Sequence, residues 1–201
     1  MMLSFSVKGC RVWVGFSCFA LAAFCCLFLG GENSASFLAA AACHEGGHLV
    51  LLFLLGAPPA MVKLTALGCR MVPNREKLLS YGQMALVSFA GPGVNLLCGG
   101  GMFLLGWRDH PFLGASLALG LLHSLPVEPM DGGMALRALL CARMNGEQAG
   151  KLSLVISLGV LFPMAVLGFL VLLRTRYNFT LLAMSLYLML YLLLKRDLFS
   201  G

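Results

Sequence analysis

Charged side chains are scarce in this sequence. They make up 11% of the 201 residues, and only eight residues are acidic, whereas 60% are hydrophobic. The mean hydropathy is +0.91. A soluble domain of this size does not need so much apolar surface, and the stretches between the apolar segments are too short to form a soluble core of their own. The composition therefore predicts an integral membrane protein with most of its residues in the bilayer.

The sequence also lacks cysteine pairs of the C-x-x-C type. Most of its eight cysteines fall inside apolar segments, where a free thiol packs as a small hydrophobic group. This pattern favours neither a disulfide framework nor a cysteine zinc site. Cys43 adjoins His44 but lies ~100° around a helix from it, so we expect Cys43 to pack rather than to bind a metal.

Six apolar segments predict membrane-spanning helices. The first also resembles a signal peptide, but its apolar run of ~19 residues exceeds the usual core of 7 to 15, so a retained span is expected. We therefore expect an all-α polytopic membrane protein that forms one domain over residues 1–201. The spans are predicted at roughly 12–30, 35–56, 82–106, 111–130, 152–173 and 177–194.

The net charge of +6 is distributed unevenly between the two sides of these spans. If the amino terminus is cytosolic, only Arg108, Arg174 and Arg176 of the 14 basic residues fall outside. The positive-inside rule then predicts a protein of the cell membrane with both termini in the cytosol. The basic excess is thus a topology signal, and no nucleic-acid partner is expected. The remaining basic residues, all on the cytosolic side, are Lys8, Arg11, Lys63, Arg70, Arg75, Lys77, Arg137, Arg143, Lys151, Lys195 and Arg196.

The second predicted span carries His44-Glu45-Gly46-Gly47-His48 in an otherwise apolar run. Positions i and i+4 share a helix face, so both imidazoles can bind one Zn²⁺ with Glu45 beside them, as in the H-E-x-x-H pattern. The alternative is a chance match with two core histidines. Ionisable groups are costly at mid-membrane depth, which favours a functional site. The chemistry implied is amide hydrolysis, in which Glu45 is the general base for a water activated by zinc.

The third and fourth spans each bring polar residues to this depth. Asn95 follows Gly91-Pro92-Gly93 in the third span and either joins two helices or contacts a substrate backbone. The fourth span should break near Pro126, which presents Asp131 on irregular backbone lining a cavity. Because the second and fourth spans run in the same direction, Asp131 is the expected third zinc ligand, with water at the fourth position. Glu128 is the competing ligand.

Two shorter segments complete the prediction. Residues 61–66 alternate between apolar and polar side chains and turn back through residues 69–73, which predicts a β-hairpin at the membrane face. Such an edge could accept an extended peptide by strand addition, and the alternative is an ordinary basic connector. Residues 134–144 predict an amphipathic helix on the inner membrane surface.

Three motifs together resemble the site-2 protease family of intramembrane zinc metalloproteases. They are His44-Glu45-x-x-His48, Gly91-Pro92-x-x-Asn95 and Pro126-x-x-x-x-Asp131-Gly132, and they cover roughly residues 35–140. Six spans without a PDZ insertion look most like the sporulation-type branch, that of stage IV sporulation protein FB. The resemblance implies regulated proteolysis of membrane-bound or membrane-associated proteins, such as a sigma-factor precursor. It also implies that zinc is held by the residues matching His44, His48 and Asp131, with Glu45 as general base.

Two features depart from the family pattern. The family usually has asparagine where this chain has His123, at a position that helps to hold substrate or stabilise the oxyanion. A histidine can still donate a hydrogen bond there, but its protonation would make the activity depend more strongly on pH. The sporulation branch often ends in a CBS domain, and this chain ends at Gly201 soon after the sixth span, so regulation by such a domain is not expected.

The expected partners are a membrane protein substrate, the lipid bilayer and a membrane-bound regulatory protein. A different class of function is a non-catalytic membrane metal-binding protein or a metal transporter. A transporter should carry ionisable residues along a path through several spans, whereas here they cluster at one depth. A pure metal-binding site would have no need of Glu45.

Overall fold

The computed structural model describes residues 2–7, 10–65, 68–72, 74 and 77–197. The chain forms two compact units, Met1–His123 and Ser124–Gly201. Several residues named in the sequence predictions lie outside the described part, namely Lys8, residues 66, 67, 73 and 75, and the side chains of Lys195 and Arg196.

The first unit contains a four-stranded sheet in the order β1-β2-β3-β4. The strands are β1 (Met2–Val7), β2 (Cys10–Gly15), β3 (Met61–Thr65) and β4 (Gly68–Val72). The outer pairs are antiparallel, whereas β2 and β3 are parallel. The predicted hairpin is confirmed as β3 and β4. The expectation of an all-α chain with only that hairpin is wrong, because two further strands precede the first helix.

These extra strands shorten the first predicted span. Residues 12–30 form one apolar run, but Val12, Trp13 and Val14 favour extended backbone and pair with β3. The first helix, α1, is therefore Phe16–Leu29, 14 residues or ~21 Å long. Hydropathy alone does not separate an apolar strand from the apolar helix that follows it.

Three more helices complete the first unit, and clear signals end or begin them. They are α2 (Gly31–Leu54), α3 (Tyr81–Leu104) and α4 (Pro111–His123). After α2, Gly56 has φ +64° and the Ala57 amide donates to the Leu52 carbonyl at 2.9 Å, as in a Schellman motif. A capping box of Ser80 and Gln83 begins α3.

Glycines allow α2, α3 and α4 to pack closely. A Cβ at Gly47 of α2 would lie 2.7 Å from the carbonyl oxygen of Ala90 on α3, and a Cβ at Gly120 of α4 would lie 2.8 Å from the Leu96 side chain. Small residues at helix contacts are typical of membrane proteins, where close packing supplies much of the association free energy. The polar side chains of these three helices are brought together as a result.

The second unit contains α5 (Asp131–Cys141), α6 (Gly146–Thr175) and α7 (Thr180–Asp197). The predicted break in the fourth span is observed, because α4 ends at His123 and the next helix begins at Asp131. Asp131 lies in the first turn of α5 rather than on irregular backbone, which corrects that expectation. The long helix α6 packs on α7 at Gly168, where a Cβ would lie 2.5 Å from the Leu182 nitrogen.

Among the residues that the structure describes, three helices are long and apolar enough to cross a membrane, namely α2, α3 and α6. The segments Phe16–Leu29, Pro111–His123 and Thr180–Leu194 are apolar helices of shorter length. Each predicted span thus falls on an apolar helix of the described chain, and three of these helices reach a spanning length. The structure is that of a mostly helical membrane protein with one small sheet.

Candidate metal centre

His44 and His48 lie one turn apart on the same face of α2, as their spacing predicts. Both side chains are buried, and their Nε2 atoms are 3.3 Å apart. Two nitrogens that bind one zinc ion tetrahedrally at 2.0–2.1 Å lie about 3.3–3.4 Å from each other. The two imidazoles therefore have the separation that a shared zinc ion requires.

The second ring nitrogen of His48 is held by α3. His48 Nδ1 lies 2.6 Å from the carbonyl oxygen of Val87, and because a carbonyl only accepts, Nδ1 carries the proton. In the neutral ring, Nε2 is then unprotonated, and its lone pair is directed at His44. Gly91 leaves room for this arrangement, since a Cβ at that position would overlap the His48 ring at Nε2.

Asn95 of α3 lies against His44. Asn95 is fully buried, and its Nδ2 is 3.3 Å from His44 Nδ1. Its Oδ1 has no hydrogen-bond partner among the described residues. Amide oxygen and nitrogen are assigned from the network, and a 180° rotation lets His44 Nδ1–H donate to Oδ1 and satisfies this oxygen.

With the amide rotated, Asn95 Oδ1 places a proton on Nδ1 of His44, and the Val87 carbonyl places one on Nδ1 of His48. With each Nδ1 protonated, His44 Nε2 and His48 Nε2 present lone pairs to each other across 3.3 Å. This contact is repulsive unless a cation lies between the two nitrogens. Histidine ligands commonly donate their other N–H to a carbonyl or carboxylate oxygen, as His48 does here and as the rotated amide lets His44 do. The donor set therefore fits a metal ion.

Glu45 is half-buried and contacts the sheet. Its Oε1 accepts a hydrogen bond from the backbone N–H of Cys69 at 3.2 Å, and a Cβ at Gly68 would lie 3.4 Å from the same oxygen. The edge of β4 thus lies beside the predicted general base. Burial, and then the Glu45 carboxylate, raise the pKa of the Cys69 thiol to about 12, so Cys69 is neutral at pH 7 and is a poor metal ligand.

His123, the last residue of α4, also lies beside His44. Their ring centroids are 4.5 Å apart at an interplanar angle of 68°, and a ring nitrogen of each lies within 4.8 Å of the other. Of the predicted site residues, the first unit thus brings together His44, Glu45, His48, Asn95 and His123. Asp131 belongs to the second unit, and its role as third ligand stays a prediction.

Glu128, the competing ligand, is engaged within the second unit. It is buried, and its two carboxylate oxygens accept hydrogen bonds from Ser153 and Arg137. This engagement favours Asp131 over Glu128 as the zinc ligand.

An apolar groove of about 570 Å³ lies between α2 and α3. Cys43 lines it among aliphatic and glycine residues. The other lining residues are Gly46, Gly47, Val50, Leu51, Leu54, Ala90, Gly93, Val94 and Leu97.

Comparisons with known proteins show the fold. The solved structure of a site-2 protease from Methanocaldococcus jannaschii matches with a TM-score of 0.64 at 17% sequence identity, covering 94% of this chain and 93% of that chain. No family model and no curated protein matches the sequence. The chain therefore has a fold like that of a site-2 protease, and its activity has to be inferred from the site.

Proposed function

We propose that this protein is an intramembrane zinc metalloendopeptidase of the site-2 protease type. The observation that carries the proposal is the pair of buried Nε2 atoms, 3.3 Å apart on α2, with Glu45 on the same turn. The helix that holds them is long and apolar enough to cross a membrane. The likeness in fold to a solved site-2 protease supports the same class.

In this proposal zinc is held by His44, His48 and Asp131. When bound, it supplies a Lewis acid that activates water and polarises the substrate carbonyl. Glu45 takes a proton from the attacking water and passes it to the leaving amine. Asn95 orients the ring of His44 through its Nδ1. The imidazole of His123 donates to substrate or to the developing oxyanion, as the asparagine of the family is thought to do.

The proposed substrates are membrane-bound or membrane-associated proteins that are cut in regulated proteolysis. The finer assignment to the sporulation-type branch, acting on a sigma-factor precursor with a membrane regulatory partner, is supported by the motif resemblance alone. The distribution of basic residues supports a multi-pass protein with both termini in the cytosol. In that orientation the four-stranded sheet lies on the cytosolic side.

The variant Glu45→Gln tests the general base. Glutamine keeps the size of the side chain and an oxygen for the Cys69 N–H, but it cannot take a proton. We expect the variant to retain zinc and to cleave a co-expressed membrane substrate roughly 10²- to 10⁴-fold more slowly. Quantitative immunoblotting of the substrate measures the rate, and comparison of the two membrane proteomes identifies natural substrates.

A matched control is Glu32→Gln, which removes an exposed carboxylate from the first turn of the same helix. This variant should cleave as the wild type does. Undiminished cleavage by Glu45→Gln would show that Glu45 is not the base. A wild-type protein that binds zinc but cleaves no substrate would favour a non-catalytic metal-binding function.

A further inference from the structure

The loop between α4 and α5 is held by a buried carboxylate. Glu128 is 4% exposed, its Oε1 accepts from Ser153 Oγ at 2.6 Å, and its Oε2 accepts from Arg137 Nη1 at 3.2 Å. The backbone N–H of Glu128 donates to Ser157 Oγ at 3.1 Å, and this hydroxyl donates to the Pro126 carbonyl at 3.4 Å. These hydrogen bonds join the loop to both α5 and α6.

The two serines give α6 a polar site where the loop contacts it. Ser153 and Ser157 are one turn apart, and both are fully buried. The rest of α6 is apolar enough for a membrane span. Hydroxyls buried in such a helix destabilise the fold unless they find partners, and both find partners in the loop.

Glycines pack the loop tightly against the start of α5. A Cβ at Gly132 would overlap the carbonyl oxygen of Ser124, and a Cβ at Gly133 would overlap the backbone of Val127. The loop and the first turn of α5 therefore move as one piece. Asp131 lies in that turn, directly before Gly132, so a shift of the loop shifts Asp131 as well.

We propose that Glu128, held by Arg137, Ser153 and Ser157, is a positioning residue that sets the place of the Asp131 carboxylate and thereby the affinity for zinc, without binding zinc itself. The inference rests on the proposed function, in which Asp131 is the third ligand. Residues that orient metal ligands from outside the coordination sphere typically change metal affinity by 10- to 100-fold when they are removed.

The test measures zinc affinity by competition with a chelator, using the purified full-length protein in detergent. Glu128→Ala and Ser153→Ala are expected to weaken zinc binding roughly 10- to 100-fold. Glu128→Gln keeps an oxygen that accepts from the Ser153 hydroxyl, so it should recover most of the affinity. Thermal unfolding of the zinc-free variants, measured alongside, separates weaker binding from loss of fold.

Two matched controls should bind zinc as the wild type does. Ser185→Ala removes a fully buried serine whose hydroxyl donates to Leu181 in its own helix. Glu147→Gln removes an exposed carboxylate that pairs with Lys151 on α6.

Folded Ser153→Ala protein with wild-type zinc affinity would overturn the inference and leave the proposed function intact. The inference would also be overturned, with the proposed function intact, if Glu128→Gln binds zinc no more tightly than Glu128→Ala does. If Glu128→Ala does not fold, Ser153→Ala and Glu128→Gln decide the matter. A wild-type protein that binds no zinc would overturn the proposed function itself.

Discussion

Single residues determine whether the two imidazoles can share a metal ion. His48 can present Nε2 to His44 because Gly91 has no Cβ and because the Val87 carbonyl fixes the other ring nitrogen. The spacing of the histidines is a local property of a helix, so the sequence predicted it. The need for glycine at position 91 depends on a neighbouring helix, and the sequence indicated only a closely packed segment there.

Gly91→Ala should disturb the metal centre directly. The added methyl group would overlap the His48 ring, so the ring must rotate or α3 must shift. We expect a loss of roughly 1–3 kcal/mol in the free energy of unfolding, together with weaker zinc binding. Thermal unfolding in detergent and chelator competition measure the two effects.

The control for this variant is Gly93→Ala, two residues further along the same helix. A Cβ there would meet nothing within 4 Å. Alanine is the better helix former by up to about 1 kcal/mol, so the free energy of unfolding of this variant should be unchanged or slightly higher, and its zinc affinity unchanged. If both variants lose zinc equally, the close contact between Gly91 and His48 does not determine zinc binding.

At the scale of helices and strands, the sequence predicted what depends on local composition. Hydropathy located six apolar helices in the described chain, three of which are long enough to span a membrane, and Pro126 located the break after α4. The sequence did not predict the pairing of β2 with β3, because residues such as Val14 and Leu64 that pair there are far apart in the chain. The contact of Glu45 with β4 was missed because a backbone N–H donor has no sequence signature.

The proposed orientation of these elements can be tested on both sides of the membrane. In a variant without native cysteines, Arg70→Cys in β4 should react with a membrane-impermeant thiol reagent only from the cytosolic side. Arg108→Cys, between α3 and α4, should react only from outside, and both native arginines are exposed. Intact cells and inside-out vesicles give the two measurements. Labelling of Arg70→Cys in intact cells would contradict the orientation.

At the scale of the whole molecule, two clusters of buried ionisable groups in the described residues are found with partners. A charge in the bilayer is costly, so it persists where another group compensates it. In the first unit, His44 and His48 face each other with a separation suited to a metal ion. In the second unit, the carboxylate of Glu128 is compensated by Arg137 and Ser153. The same principle thus explains both clusters.

The central claim is that the paired imidazoles of His44 and His48 bind zinc. X-ray absorption spectroscopy of the purified protein, combined with metal analysis, tests it most directly. We predict one zinc per chain with nitrogen and oxygen ligands at about 2.0–2.1 Å, of which at least two are imidazoles, and loss of this signal in His48→Ala. A wild-type protein without zinc, or a zinc shell unchanged in His48→Ala, would contradict the claim.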